Sequence, residues 1–131
     1  MTGRPETAAA PRTGLLRRLL GPRVARVTPA EAALSGAGAL LLDVREPAEW
    51  RAGHAPGARH IPLGQLAGRL SEVPADRPVV TVCRSGARSR RAAKLLAAAG
   101  HEVHDLTGGM RAWTNAGLAV RAKGGRPGHV A

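Results

Sequence analysis

Cys83 is the only cysteine among 131 residues, and its neighbours place it where a thiol can react. The apolar, β-branched run at residues 79–82 predicts a buried strand immediately before it. Residues 89–99 predict a helix after it, which ends at Gly100. Between a strand end and a helix N-terminus, backbone N–H groups and the helix dipole stabilise a negative charge. The pattern therefore predicts a nucleophilic thiolate at Cys83.

The residues next to Cys83 support the same interpretation. Arg84 and Arg88 bring fixed positive charge to the loop, which favours the thiolate over the thiol. An isolated cysteine is more often a small buried apolar residue, so the flanking segments decide between the two interpretations. A single cysteine also cannot form an internal disulfide, which agrees with a reducing compartment. We therefore expect a cytoplasmic protein.

The net charge of +11 lies mainly at the two ends of the chain. Residues 1–23 carry +4 and residues 121–131 carry +3, and both segments are predicted to be tails, the first one flexible. Residues 24–120 carry +4 over a much longer stretch and are predicted to form one folded domain. Basic tails can bind phosphates, but no aromatic residues interleave them, so no nucleic-acid partner is expected.

The apolar residues do not form a membrane-spanning stretch. No run of about 18 apolar residues occurs, which predicts that the chain has no integral membrane segment. Its beginning also lacks the continuous apolar stretch of a secretory signal. The basic, amphipathic run at residues 15–20 leaves a membrane-surface or targeting role open, although a solvated tail is the favoured interpretation.

The hydrophobic pattern predicts strands and helices in alternation. Strands are expected at residues 24–27, 39–44, 79–82 and 102–106, and helices at residues 29–34, 47–52, 63–70, 89–99 and 109–116. This order predicts a mainly parallel sheet covered by helices. Ligands bind at the carboxyl edge of such sheets, which is where Asp43 and Cys83 are expected to lie.

Three segments resemble rhodanese-like domains. The first segment comprises Asp43-Val44-Arg45-Glu46, Glu49-Trp50, Gly53-His54-Ala55-Pro56-Gly57-Ala58 and Ile61-Pro62. The second is the loop Cys83-Arg84-Ser85-Gly86-Ala87-Arg88-Ser89. The third is Gly108-Gly109-Met110-Arg111-Ala112-Trp113 together with Gly117. The resemblance covers residues 24–120 and implies a three-layer α/β/α fold with a small, mainly parallel central sheet. Ala55 stands where a larger aliphatic residue is usual in the family, which affects local packing rather than chemistry.

The resemblance implies a sulfurtransferase without a cofactor or a metal. Cys83 would attack the outer sulfur of a donor such as thiosulfate and hold that sulfur as a persulfide, until a thiophilic acceptor such as cyanide or a thiol removes it. The expected partners are thus a small sulfur donor and a small acceptor, with a sulfur-accepting protein as a further one. The alternative function is a sulfur-carrier or interaction module that delivers persulfide sulfur to a protein. A non-catalytic regulatory domain is disfavoured by the presence of Cys83.

The remaining loop residues would bind the substrate. The backbone N–H groups of the loop are expected to surround the persulfide, and its arginines to attract an oxyanionic donor; the residues concerned are Arg84, Ser85, Gly86, Ala87, Arg88 and Ser89. Ser89 has two interpretations, as a donor to the persulfide or as the helix cap. Asp43 and Arg45 are expected to support the site structurally, and Arg45 is expected to pair with Glu49.

Two rival chemistries are disfavoured. Cysteine-dependent phosphatases place an arginine six positions after the cysteine, where this chain has Ser89; its arginine comes one position earlier, at Arg88. His54 and His60 have no cysteine or carboxylate support for a metal site. Trp50 and Trp113 are expected to fill the space between helices and sheet rather than to take part in catalysis.

Overall fold

The computed structural model describes residues 24–35 and 38–131, so the predicted tail at residues 1–23 lies outside the described residues. This part of the chain contains the strands β1 (Ala25–Val27), β2 (Leu40–Asp43), β3 (Arg59–His60), β4 (Val79–Val82) and β5 (Val103–Leu106). These five strands are parallel and form one sheet in the order β1-β5-β4-β2-β3. The prediction of a parallel α/β sheet is confirmed.

Helices connect the strands and cover both faces of the sheet. They are α1 (Pro29–Ser35), α2 (Pro47–Ala52), α3 (Leu63–Leu66), α4 (Ala87–Ala98) and α5 (Gly109–Asn115), with 3₁₀ segments at Ala67–Glu72 and Lys123–Gly125. The start of α1 has a capping box, since the Thr28 N–H donates to Glu31 Oε1 at 2.8 Å and the Glu31 N–H donates to Thr28 Oγ1 at 3.2 Å.

Two helices differ from the predicted bounds. The helix expected at residues 63–70 is α only as far as Leu66 and then continues as a 3₁₀ segment in which Arg69 departs from helical geometry. Gly64 and Gly68 weaken the α-helix in this short segment. The helix expected from residue 89 begins at Ala87, because Gly86 already forms its N-cap.

The core on both faces is built from small aliphatic residues, with β4 buried along its whole length. One cluster, which includes Leu42, Val79 and Leu96, lies between the sheet and α4. The other includes Val82, Leu106 and Trp113 and lies between the sheet and α5. Trp113 therefore fills the space between helix and sheet as predicted, and its indole N–H donates to the Ala119 carbonyl at 2.9 Å.

The segment predicted as a C-terminal tail packs against the domain. Residues 120–129 form a hairpin, in which the Gly128 N–H donates to the Val120 carbonyl at 2.9 Å. His54 and Arg121 exchange backbone hydrogen bonds at 2.9 Å, and the His129 N–H donates to the Ala52 carbonyl at 3.0 Å. This C-terminal hairpin thus covers the end of α2.

We predict that Gly128→Ala destabilises the protein by roughly 1–3 kcal/mol, the usual cost of inserting a methyl group where there is no room. A Cβ at Gly128 would lie 2.8 Å from the Gly53 Cα and 2.9 Å from the Ala52 carbonyl oxygen. Urea unfolding measures the change. Gly68→Ala is the control, because nothing lies within 4 Å of its added Cβ. Equal unfolding free energies for Gly128→Ala and the control would contradict the predicted packing of the hairpin.

Candidate active site

Cys83 lies at the carboxyl edge of the sheet, directly after β4, with 1% of its surface exposed. The chain then turns back within three residues, so that the Gly86 N–H donates to Cys83 Sγ at 3.0 Å. Gly86 has φ 130°, a conformation that residues with a Cβ rarely adopt. Gly86 therefore permits a tight turn, which directs a backbone donor at the sulfur.

Ser89 lies on the other side of the same sulfur. Its Oγ is 3.4 Å from Cys83 Sγ, and its hydroxyl donates to the Gly86 carbonyl at 3.1 Å. Gly86 is the N-cap of α4 and Ser89 lies buried in the first turn, so the interpretation of Ser89 as the cap is wrong. When the thiol ionises, the Ser89 hydroxyl can rotate and donate to the sulfur instead.

The first turn of α5 holds the loop from behind. The Met110 N–H donates to the Cys83 carbonyl at 2.8 Å, and the Arg111 N–H donates to the Arg84 carbonyl at 3.1 Å. Two N–H groups that a helix start leaves unpaired thus bind the loop. Gly109 has φ 60°, and a Cβ there would lie 2.6 Å from the Arg84 carbonyl oxygen. The second glycine of the pair before α5 therefore allows the close contact, a role that sequence reasoning had not assigned to it.

Arg88 forms a bidentate ion pair with Glu49 of α2, with oxygen–nitrogen distances of 2.6 and 2.8 Å. The hydrogen bond from Arg88 is the main cause that lowers the pKa of Glu49 from 4.5 to about 2, and burial opposes it. The same bond raises the pKa of Arg88. Glu49 Oε1 also accepts the Glu46 N–H at 2.9 Å, so one carboxylate caps α2 and holds the arginine of the Cys83 loop.

Arg45 does not pair with Glu49, and that prediction is wrong. Its partner is Asp43, with contacts of 2.9 Å from Nε and 2.7 Å from Nη2, and both side chains are buried. Arg45 also donates from Nη2 to the Gly53 carbonyl at 2.8 Å. Alternate residues of an extended chain face the same side, which brings the side chains of residues 43 and 45 together. The pair joins the end of β2 to the end of α2.

The histidines near the site are held by the backbone. His54 Nδ1 lies 2.8 Å from the Trp50 carbonyl and His60 Nε2 lies 2.7 Å from the Arg45 carbonyl. Both imidazoles are stacked parallel to the Trp50 indole, with centroids 3.5 and 4.9 Å away, so Trp50 packs on histidines rather than in the core. Among the described residues, no three His, Cys, Asp or Glu side chains group as metal ligands.

The other loop residues predicted to bind substrate lie at the surface. Arg84, Ser85 and Ala87 are exposed, and Arg88 is half-buried against Glu49. Of the loop residues that the structure describes, Gly86 and Ser89 form hydrogen-bonding contacts with the sulfur. No helix in the described part of the chain is long and apolar enough to cross a membrane.

We predict that wild-type stability decreases as the pH falls from about 5 to 2 and that Glu49→Gln removes part of this dependence. Because the Glu49 pKa is about 2 when folded and 4.5 ordinarily, the folded state favours the carboxylate, and that contribution is lost on protonation. At pH 7 we expect Glu49→Gln to lower the free energy of unfolding by roughly 1–2 kcal/mol, a value between those typical of exposed and of buried ion pairs.

Chemical denaturation across this pH range measures the effect of Glu49→Gln. Glu72→Gln is the matched control, because Glu72 also pairs with an arginine, Arg69, at 2.9 Å but lies at the surface. We expect the control to change stability little. An unchanged pH profile in Glu49→Gln would show that the Glu49–Arg88 pair does not contribute to folding.

Comparison with known proteins agrees with this geometry. Residues 27–116 match the family model of the rhodanese-like domain. A protein of Allochromatium vinosum named "Sulfurtransferase" is 45% identical over 87 residues, which are 66% of this chain and 81% of that protein. The Bacillus subtilis protein YqhL, described as uncharacterized, is 45% identical over 86 residues, 65% of this chain and 66% of its own length. A second B. subtilis protein, YrkF, is provisionally named a sulfur carrier and is 40% identical over 75 residues, 56% of this chain and 40% of its own length.

Two solved structures have the same fold. A rhodanese-related protein from Thermoplasma volcanium superposes with a TM-score of 0.71 at 27% identity, over 73% of this chain and 96% of that one. A thiosulfate sulfurtransferase from Pseudomonas aeruginosa superposes with a TM-score of 0.67 at 32% identity, over 77% of this chain and 20% of that one. The family match begins at the last residue of β1 and covers the other four strands, the Cys83 loop and α1 to α5, and the chain belongs to the rhodanese-like domain family.

Proposed function

We propose that the protein is a sulfurtransferase, which moves sulfane sulfur from a donor such as thiosulfate to a thiophilic acceptor through a persulfide on Cys83. The observation that carries this proposal is the position of Cys83 Sγ, 3.0 Å from the Gly86 N–H at the carboxyl edge of the sheet. The relatives named for sulfur transfer and sulfur carriage support it.

The first half-reaction forms the persulfide. The Cys83 thiolate attacks the outer sulfur of thiosulfate and forms an S–S bond, while the bond between the two thiosulfate sulfurs breaks. Its electron pair leaves with sulfite, so the products are the Cys83 persulfide anion and sulfite, with no change in total charge. A nucleophile that enters this step as the thiolate needs no general base.

The second half-reaction regenerates the thiolate. An acceptor such as cyanide attacks the outer sulfur of the persulfide, and the electron pair of the S–S bond returns to Cys83. The products are thiocyanate and the Cys83 thiolate. The two steps use one site in turn, which predicts ping-pong kinetics.

The loop would stabilise the anion that both steps share. Gly86 supplies a backbone N–H and Ser89 a hydroxyl beside the sulfur, and donors already in place stabilise charge without reorganisation. The remaining N–H groups between Arg84 and Ser89 would surround the outer sulfur of the persulfide. In this proposal Arg84 attracts the anionic donor from the surface, while Asp43 and Arg45 support the loop after β2.

We predict that Cys83→Ser abolishes thiocyanate formation from thiosulfate and cyanide, because a hydroxyl is too weak a nucleophile at neutral pH to form the intermediate. Intact-mass spectrometry after incubation with thiosulfate should show a gain of one sulfur atom in the wild type and none in the variant. Activity that persists in Cys83→Ser would overturn the assignment of the nucleophile.

We predict that Ser89→Ala lowers kcat/KM for thiosulfate about tenfold, as expected for the loss of one hydrogen bond to a charged group. Ser85→Ala is the comparison within the same loop. Its effect should be smaller, because Ser85 is exposed and makes no hydrogen bond to the sulfur in the described part of the chain. If the two variants lose the same activity in steady-state assays, Ser89 has no special role beside the persulfide.

The second candidate is a sulfur carrier that delivers the persulfide sulfur to a protein, which the likeness to YrkF favours. The thiosulfate and cyanide assay separates the two functions. Rapid turnover that depends on Cys83 supports the enzyme, whereas persulfide loading with negligible turnover supports the carrier.

A further inference from the structure

Arg90 lies against the Cys83 loop, although it is outside the loop segment that sequence analysis assigned to the site. A Cβ built on Gly86 would lie 2.8 Å from Arg90 Nη1, so the guanidinium is packed on the Cα of Gly86. The N–H of the same glycine binds Cys83 Sγ at 3.0 Å. Gly86 thus contacts both the Arg90 guanidinium and the Cys83 sulfur.

The charge of Arg90 is not neutralised by a direct contact. Within the part of the chain that the structure describes, its side chain makes no hydrogen bond or ion pair, and α4 contains no acidic residue. Arg88 is different, because Glu49 binds both of its terminal nitrogens. Of these two arginines in the first turns of α4, the one available to a ligand is therefore Arg90.

The surroundings of Arg90 are also positively charged. A cavity of about 180 Å³ beside it is lined by Val24, Arg26, Arg90, Lys94 and Asp105. Three cations face one carboxylate there. Asp105 is buried, accepts a hydrogen bond from Thr81 at 3.2 Å, and has no basic side chain within ion-pair distance among the described residues. The cavity beside Arg90 therefore attracts anions.

We propose that Arg90 determines specificity for an oxyanionic sulfur donor by binding its oxygen-bearing end while Cys83 attacks the outer sulfur. This inference rests on the proposed sulfurtransferase function and names the donor-binding residue and the donor class. Sulfite leaves as a dianion, and a guanidinium forms strong charge-assisted hydrogen bonds to oxyanions. A neutral replacement at residue 90 therefore weakens the use of thiosulfate.

The test compares Arg90→Gln with Arg91→Gln. Both residues are exposed on α4, and both changes remove one positive charge, but Arg91 lines a different cleft with Glu46 and Leu63. Single-turnover sulfur loading from thiosulfate is followed by intact mass. We expect Arg90→Gln to raise the thiosulfate concentration for half-maximal loading about tenfold, because one charge-assisted hydrogen bond is lost. Arg91→Gln should change this concentration much less. Arg90→Lys, which keeps the charge without the planar fork, should lie in between.

A second donor adds a readout that a structural role would not change. Methanethiosulfonate carries one negative charge where thiosulfate carries two, so the loss in Arg90→Gln should be smaller with it. Equal loading curves for Arg90→Gln and Arg91→Gln would overturn the role of Arg90. A wild-type protein that gains no sulfur from thiosulfate would overturn the proposed function itself, and the two failures are thus distinguishable.

Discussion

The site depends on the curl of the backbone between Cys83 and Gly86, which directs the Gly86 N–H at the Cys83 sulfur. A chain with a side chain at residue 86 would resist this curl, since φ there is 130°. The curl is held from two sides, by α4, which begins at Ala87, and by the first turn of α5, which binds the Cys83 and Arg84 carbonyls. The sulfur is consequently placed by backbone geometry rather than by neighbouring side chains.

Two ion pairs stabilise the carboxyl edge of the sheet around this loop, and they differ in what they require. Asp43 and Arg45 are two positions apart and pair within one segment. Glu49 and Arg88 are distant in sequence, and their pairing needs α2 and α4 to be placed by the β2–β4 pairing. A buried pair cannot lose one partner without leaving an unpaired charge, so the Asp43–Arg45 pair maintains the loop after β2. The Glu49–Arg88 pair joins α2, which follows that loop, to the Cys83 loop.

The pairing of Arg88 with Glu49 changes which arginine near Cys83 is expected to bind an oxyanion. From the sequence, Arg88 is the natural oxyanion ligand, because it lies in the loop that resembles the family's active site. In the structure its guanidinium is held by Glu49, whereas Arg90 is free of acidic partners within the described residues and packs on Gly86. Spacing from a nucleophile therefore predicts which cations are near a site but not which of them have a neutralising partner.

Several features could be predicted because they depend on local sequence. The buried strand before Cys83, the turn at Gly86, the capping box at Thr28 and the parallel α/β order all follow from periodicity, glycine and capping residues. The error over Arg45 and Glu49 has a different cause. Whether Arg45 points inward to Asp43 or outward to Glu49 depends on the burial of the β2 end, which its neighbours along the chain do not reveal.

The amino-acid sequence by itself determined the position of Cys83 between a strand and a helix, the glycine turn beside it and the family, because each is encoded in short segments of the chain. Only the tertiary structure decided that Glu49 pairs with Arg88, that Gly109 lets α5 contact the Cys83 loop, and that the C-terminal hairpin covers the end of α2. These contacts join residues far apart in the chain, and their geometry depends on how the parallel sheet aligns the helix ends. The physical reason is that local backbone preferences act within a segment, whereas charge pairing and close packing act between segments.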